Sequence, residues 1–94
     1  MSIKLLIPTP LRPYVNGQDE ILVEEAGSLG ATLGKLADSH VSLKKHLYDD
    51  QGGLRKFINI YVNGEDSRYL QGVETLLKSG DEVAIVPSIA GGQS

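Results

Sequence analysis

One helical pattern, set between short alternating segments, constrains the fold of this chain more than any other feature. Apolar residues recur at the spacing of a single helix face: Leu29, Leu33, Leu36, Ala37 and Val41. Ser28 stands where an N-cap residue belongs, but glycines at 27, 30 and 34 lower the intrinsic helix propensity of the segment. We therefore expect this helix to gain its stability by packing against a sheet.

The residues before the helix alternate as two strands would. Branched residues at 3, 5 and 7 share one face of a first strand, until Pro8 ends the pairing. The next ten residues, 9–18 (TPLRPYVNGQ), hold two prolines and an Asn-Gly pair, which predicts a turn region. A second strand is expected over 19–24, and two strands this close in sequence predict an antiparallel hairpin.

The strongest strand pattern of the chain follows the helix, at 56–62 (KFINIYV), with Ile58, Ile60 and Val62 on its core face. The Asn63-Gly64 pair after it predicts a tight hairpin turn of the primed type. The remaining predicted elements are a turn or short helix at 42–48, a short strand at 65–69, one helical turn at 75–78, a turn at 80–81 and a last strand at 82–86.

This order of elements predicts an α+β fold of the β-grasp kind, with a mixed sheet and one main helix packed on one of its faces. A crossover between parallel strands in such a sheet is right-handed. The length of 94 residues suffices for one core of this size and leaves no room for a second. We expect a domain at 1–87 and a flexible C-terminal tail at 88–94.

Composition and charge exclude several classes of function. A net charge of −3 without pattern offers no surface for nucleic acid, and the basic pairs Lys44-Lys45 and Arg55-Lys56 are expected to be solvated surface. The absence of cysteine excludes disulfides, iron–sulfur clusters and thiolate zinc sites. No signal sequence and no apolar run of membrane-spanning length is present, so we expect a cytoplasmic protein with no membrane partner.

The chain contains no residue pattern typical of an enzyme or of a metal site. His40 and His46 would lie on different faces of a continuous helix, and no carboxylate stands beside them at ligand spacing. The glycines match neither the Rossmann nor the P-loop spacing. We expect a protein that is not a catalyst and that carries no metal or cofactor of its own.

The C-terminal residues, 88–94, read SIAGGQS, and a glycine pair near a chain end is a weak motif by itself. Together with the segment before it, 79–87 (SGDEVAIVP), it resembles the end of the prokaryotic ubiquitin-like sulfur carriers. That family includes the thiamine-pathway carrier and the small subunit of molybdopterin synthase. The segments IPT at 7–9, LRP at 11–13 and FINIYVN at 57–63 look most similar to the branch that serves cysteine biosynthesis.

The resemblance implies a carrier cycle at the carboxyl of Gly92. An adenylating enzyme of the ubiquitin-activating type would use ATP to form an acyl-adenylate there, and sulfur would then replace the adenylate. The resulting thiocarboxylate would donate sulfide to a biosynthetic enzyme, of the pyridoxal-phosphate-dependent, cysteine-synthase-like kind. A narrow tail suits entry into an enclosed active site. Ile89, Ala90 and Gly91 are therefore predicted to be recognised by the partner enzymes together with Gly92.

Gln93 and Ser94 depart from the family pattern, because they hold the Gly92 carboxyl in a peptide bond. We predict that a zinc metallopeptidase, of the kind that acts on ubiquitin-like tails, removes them. Alternatively, they mark a carrier that never matures in this way.

Two other classes also remain open at this stage. One is a ubiquitin-like modifier joined through Gly92 to lysines, and the other is a β-grasp interaction domain that makes no use of its tail. The sulfur-containing product is open as well. The resemblance favours cysteine; homocysteine or methionine, a siderophore-type thioacid, molybdopterin and thiamine are the alternatives.

Partner docking is expected on the sheet face that the helix leaves uncovered. In the strand at 56–62, Phe57, Asn59 and Tyr61 would point away from the core face. Exposed aromatic side chains on a sheet suit docking, so Phe57 and Tyr61 are the predicted anchors. The alternative is that Phe57 lies under a loop and that Tyr61 is ordinary amphipathic surface.

Overall fold

The computed structural model describes residues 2–24 and 27–87. Its strands and α-helices, in chain order, are β1 (Ser2–Leu6), β2 (Glu20–Glu24), α1 (Leu29–Ser39), α2 (Val41–Leu47), β3 (Ile58–Val62), β4 (Glu65–Asp66) and β5 (Glu82–Pro87). Short 3-10 helices at Thr9–Val15, Ser67–Tyr69 and Gly72–Glu74 lie in the connections. Within the described ranges, no helix is long and apolar enough to cross a membrane.

The described strands form a mixed sheet in the order β2-β1-β5-β3-β4. β1 pairs antiparallel with β2 and parallel with β5, while β3 pairs antiparallel with both β5 and β4. The last strand therefore lies in the middle of the sheet. The opening hairpin and the mixed sheet agree with the arrangement predicted from the order of elements.

The core lies between one face of the sheet and the two α-helices. Ile3 and Leu5 of β1 are fully buried, as the alternation predicts. Val83 of β5 lies beside Leu5 in the sheet, and Ile85 of β5 is buried as well. The helices contribute leucines to the same cluster: Leu29, Leu33, Leu36, Leu43 and Leu47. Each such side chain stabilises the fold by about 1.5–3 kcal/mol relative to leaving it in water, so these contacts decide which sheet face is covered.

α1 begins at the predicted cap. The Ser28 hydroxyl accepts a hydrogen bond from the backbone N–H of Ala31 (3.1 Å), which satisfies one of the free donors of the first turn. Thr32 is fully buried in the same turn, and its hydroxyl donates to the Ser28 carbonyl (2.9 Å). The glycine-rich start is thus stabilised both by a cap and by contact with the core.

The first helix ends two residues before Val41, the last position of the predicted helical pattern. α1 ends at Ser39, and His40 has φ −135° and ψ 80°, which no helix accommodates. Val41, predicted to be on the buried face, instead begins α2 and is 68% exposed. The segment at 42–48, predicted as a turn or a short helix, belongs to α2, whose Leu43 and Leu47 face the core.

Residues 9–18, predicted as a turn region, contain a 3-10 helix at Thr9–Val15 before the Asn-Gly turn. Proline is compatible with such a helix because its fixed φ matches the helical value. Leu11 and Val15 are buried four residues apart, so one side of this helix packs against the core. The prolines that indicated a loop therefore stand in an ordered and partly buried segment.

The strand predicted at 65–69 is wrong beyond its second residue, because β4 ends at Asp66. The Asp66 carboxylate accepts a hydrogen bond from the backbone N–H of Arg68 (2.9 Å). A local bond of this kind competes with the strand ladder and favours a turn.

The helical turn predicted at 75–78 is also wrong. The 3-10 turn lies earlier, at Gly72–Glu74, and Leu76 forms an isolated bridge with Ser28. Pairing with the start of α1 takes precedence over the local helical preference of this segment.

The turn at Asn63-Gly64 has the predicted primed geometry. Both residues have positive φ, 52° and 87°. The Asn63 side-chain amide donates to the Asp81 carboxylate (3.1 Å), and its carbonyl accepts from the N–H of Glu82 (3.0 Å). The pKa of Asp81 is lowered by hydrogen bonds from the Lys78 backbone and from Asn63. This turn is therefore joined to the turn that precedes β5.

Candidate functional site at the end of the central strand

The position of β5 determines where the C-terminal tail leaves the domain. β5 pairs with β1 over three residues and with β3 over five, and its last residue, Pro87, lies opposite Ile58. The strand is therefore held on both sides. The predicted tail residues lie outside the described residues: Ile89, Ala90, Gly91, Gly92, Gln93 and Ser94. Their roles stay predictions.

One face of the sheet, which we call the open face, points away from the helices. Pairing places Ala84 of β5 between Leu6 of β1 and Tyr61 of β3 in a single row. Val86 lies opposite Asn59 in the next row toward the tail and is 40% exposed. This part of the open face is thus mainly apolar and borders the point where β5 ends.

The structure places the two predicted anchors differently. Tyr61 lies on the open face and is half-buried. Phe57 precedes β3, which begins at Ile58 and not at Lys56 as predicted, and it is 54% exposed. Because Ile58 faces Pro87, Phe57 lies at the corner where the central strand ends. Tyr61 lies opposite Ala84, three residues along β3 from the Ile58–Pro87 pair, so the two side chains are not at the same end of the strand. Their role as anchors stays a prediction.

An ion pair at the β4 edge borders the open face and was missed in the sequence. Asp66, which faces Tyr61 across the ladder, is 7% exposed and accepts hydrogen bonds from the Arg68 Nε and Nη2. The shortest of these is 2.7 Å. The side-chain hydrogen bond from Arg68, followed by the bond from its backbone N–H, lowers the pKa of Asp66. An acidic residue two positions before an arginine, just after a hairpin turn, was the available signal.

Both histidines make contacts within the fold. His40 is the C-cap residue of α1, and its Nδ1 lies 3.3 Å from the Leu36 carbonyl oxygen. The His46 ring stacks on Tyr14, with ring centroids 4.0 Å apart, and so joins α2 to the 3-10 helix at Thr9–Val15. Across residues 2–24 and 27–87, no group of three or more His, Cys, Asp or Glu side chains is placed to hold a metal ion.

The mixed sheet, its covering helices and its central last strand define a β-grasp protein of the ubiquitin-like kind. Within that class, the chain belongs to the ThiS family, whose model matches residues 5–92. The predicted resemblance to the ubiquitin-like sulfur carriers is therefore confirmed.

Comparison with individual proteins supports the same assignment. The chain is 38% identical, over 98% of its length and 100% of the relative's, to the sulfur carrier protein CysO of Mycobacterium tuberculosis. It also matches the crystal structure of the Amycolatopsis orientalis BexX/CysO complex, with a TM-score of 0.84, 32% identity and coverage of 96% and 99%. It matches the solution structure of the small archaeal modifier protein 1 from Methanosarcina acetivorans with a TM-score of 0.85 and 32% identity, over 97% of this chain and 96% of the other. The predicted β-grasp fold is confirmed, and the chain is a homologue of the CysO sulfur carriers.

Proposed function

We propose that this chain is a sulfur carrier whose reactive group is the carboxyl of Gly92. The observation that carries the proposal is the extent of the family match, which runs through residue 92 and stops before Gln93. The described structure is consistent with it, because β5 leads the chain from the middle of the sheet toward these residues. The name of the CysO relative supports the sulfur chemistry.

The chemistry takes place on partner enzymes. The Gly92 carboxylate attacks the α-phosphorus of ATP on an adenylating enzyme, which releases pyrophosphate and leaves an acyl-adenylate. A sulfide then displaces AMP, and the thiocarboxylate donates its sulfur to a biosynthetic enzyme, proposed to be pyridoxal-phosphate-dependent and to make cysteine. The chain is a cosubstrate in this cycle, and we place it in the cytoplasm.

The open face would provide the binding energy for docking. Ordering each tail residue in a channel costs about 1–2 kcal/mol of backbone entropy, which the tail has few side chains to offset. Val86 and the exposed Phe57 adjoin the end of β5, and the apolar row at Ala84 lies further back on the same face, so docking there would place the tail at the active site. The BexX/CysO crystal structure is that of a relative in a complex with another protein.

Maturation precedes this cycle, because the carboxyl of Gly92 is free only after Gln93 and Ser94 are removed. We propose that a zinc metallopeptidase cleaves the Gly92–Gln93 bond. The intact mass of the protein purified from its own host tests this step. A population that ends at Ser94, with no species ending at Gly92, would contradict it.

Three purified chains test the site itself: the full chain, a chain that ends at Gly92 and a matched control that ends at Gly91. With the adenylating enzyme, ATP and sulfide, we expect only the Gly92-terminated chain to gain the mass of one oxygen replaced by sulfur. Equal conversion of the chain that ends at Ser94 would show that the carboxyl of Gly92 is not the reactive group.

A second function is favoured by the likeness to a small archaeal modifier protein. A modifier would use the same Gly92 carboxyl to acylate lysines of other proteins. An affinity-tagged chain expressed in its host would then form conjugates of higher mass, which disappear when Gly92 is deleted. A carrier alone forms none, so this assay separates the two functions.

A further inference from the structure

β2 lies at one edge of the sheet and is paired on one side only. The strand order places it beside β1, with no other described strand beyond it. All five of its residues pair with β1, in an antiparallel register that sets Leu22 opposite Lys4. Leu22, in the middle of the strand, is 65% exposed. An edge of this kind can pair with another extended chain.

Two hydrogen bonds show in which direction the backbone groups of β1 point. The Ile7 N–H donates to the Asp19 carbonyl (2.8 Å), and this pair continues the register of the β1–β2 ladder. The Lys4 N–H instead donates to the carbonyl of Asp81 (3.0 Å), which immediately precedes β5 on the other side of β1. Lys4 therefore directs its backbone groups toward β5 and not toward β2.

The same alternation identifies the backbone groups of β2 that remain for a further strand. Because hydrogen-bonded pairs alternate along antiparallel strands, Leu22, opposite Lys4, does not bond with β1. Its N–H and C=O point to the outer edge, as do those of Glu20 and Glu24. Among residues 2–24 and 27–87, no loop backbone group bonds to these three residues. They can therefore exchange hydrogen bonds with an added strand.

A groove of about 550 Å³ runs along this edge, between β2 and the second half of α1. Four successive residues of β2, 21–24, line it, so it follows the strand. Its apolar lining comes from Ile21, Val23 and Leu36. Successive residues of an added strand point to opposite faces, so every second side chain would enter this groove. Aliphatic side chains suit those positions.

The charges beside this edge are mainly negative. On the open face, β2 presents Glu20, Leu22 and Glu24 in one line. Glu20 lies 3.9 Å from the Lys4 Nζ in an exposed pair, which contributes little, and Glu24 forms no ion pair within residues 2–24 and 27–87. A basic side chain opposite each glutamate would complement this line of residues, since opposite charges on paired strands attract.

A second copy of the chain does not suit this edge. Two β2 strands joined antiparallel about Leu22 would set Glu20 of each copy opposite Glu24 of the other. Like charges directly opposite on paired strands are destabilising. The two glutamates therefore disfavour pairing between copies and favour a basic partner.

We propose that an extended segment of a partner protein adds as a strand to the edge of β2, with aliphatic side chains in the groove beside α1 and basic side chains against Glu20 and Glu24. This interaction uses no tail residue. It is therefore independent of the sulfur-carrier function proposed for Gly92, and either proposal can fail without the other.

The test uses the 15N-labelled full chain and three five-residue peptides with blocked ends, matched in length to β2. The first is Lys-Val-Leu-Val-Lys, which would set its leucine opposite Leu22. The second is Glu-Val-Leu-Val-Glu. The third is the lysine peptide with a methyl group on the backbone nitrogen of its leucine, which keeps both charges and removes one hydrogen-bond donor.

We expect the lysine peptide to shift the amide signals of Leu22 and Glu24 and to slow hydrogen exchange at Leu22. The glutamate peptide should bind about tenfold more weakly or less, because its carboxylates would face those of β2. The methylated peptide should also lose about tenfold or more, because a backbone hydrogen bond is lost and the methyl group blocks the approach. Raising the salt concentration from about 0.05 M to about 0.5 M should weaken binding of the lysine peptide.

Charge reversal in the protein tests the assigned carboxylates. Glu20→Lys combined with Glu24→Lys should reverse the preference, so that the glutamate peptide binds more tightly than the lysine peptide. The matched control, Glu65→Lys with Glu74→Lys, makes the same change of net charge at exposed positions that do not line the groove. It should keep the preference for lysine. Glu24→Lys alone serves as a second variant if the pair fails to fold.

Three results would overturn the proposal. The first is equal binding of the methylated peptide, which would indicate charge attraction without strand addition. The second is a reversed preference in the control variant as well. The third comes from the unmodified chain and requires no variant to fold: either no shift at Leu22 with the lysine peptide, or a shift on concentrating the protein alone, which would show a second copy at this edge.

Discussion

Two glycines of α1 provide a matched pair for testing how the helix packs. Gly34 lies in mid-helix, and a Cβ added there would meet no atom within 4 Å. Gly30, in the first turn, has Val73 against it: an added Cβ would lie 3.2 Å from the Val73 carbonyl oxygen and 3.3 Å from its Cβ. Glycine to alanine at position 34 therefore changes the helix propensity alone. At position 30 it changes the helix propensity and also brings the new methyl group too close to Val73.

The expected magnitudes follow from these distances. Gly34→Ala should raise the free energy of unfolding by about 0.5–1 kcal/mol, the usual difference between the two residues in a helix. At Gly30 both distances are shorter than ordinary van der Waals contact, and overpacking costs about 1–3 kcal/mol. The segment that carries Val73 cannot move away freely, because the carbonyl of nearby Thr75 accepts a hydrogen bond from the N–H of Leu29 at the start of α1 (2.8 Å). We therefore expect Gly30→Ala to lower stability by about 0.5–2 kcal/mol.

Thermal and urea unfolding followed by circular dichroism measure both changes under one set of conditions. For a domain of this size, Gly34→Ala should raise the Tm by about 2–8 °C, and Gly30→Ala should lower it. If Gly30→Ala stabilises the protein as much as Gly34→Ala does, the helix start is not packed against Val73 as described.

Three further outcomes are expected. Leu33→Ala should destabilise the protein by about 2–5 kcal/mol, because Leu33 is fully buried. Leu22→Ala, at a 65% exposed position, should change the free energy of unfolding by less than about 0.5 kcal/mol, and urea unfolding of both variants measures the difference. The pKa of Asp66 is lower in the folded protein than in the unfolded chain, so its stabilising contribution is present above about pH 4 and is lost as the pH falls through the folded pKa. Asp66→Asn should therefore make the urea midpoint of unfolding depend less on pH in the acid range. An unchanged acid dependence would contradict this. Phe57→Ala should weaken binding to the adenylating enzyme by about tenfold or more with no change in Tm, while Tyr69→Ala, 81% exposed and outside the open face, should leave calorimetric affinity within about twofold; equal effects would remove Phe57 as an anchor.

Local patterns in the sequence were sufficient for much of the fold. The alternation at Ile3 and Leu5 identifies the buried face of β1, because successive strand residues point to opposite sides. Asn63-Gly64 identifies the primed turn, because both positions require positive φ. The candidate reactive group at Gly92 also came from the sequence alone, through its resemblance to a family.

Other features depend on contacts between segments far apart in the chain. The break at His40 was missed because Val41 continues the helical spacing, and only the packing of Leu43 and Leu47 turns the chain into α2. The end of β4 at Asp66 was missed because a side-chain bond to Arg68 competes with the ladder.

The candidate site divides in the same way. Residue type and spacing alone were enough to identify the glycine tail, the lack of enzyme-like motifs and the aromatic residues offered for docking. The tertiary structure was needed to show that β5 lies in the centre of the sheet and that Phe57 stands at the corner beside Pro87. Strand order and edge exposure arise from which strands pair across the fold, and no periodicity within a single strand encodes that choice.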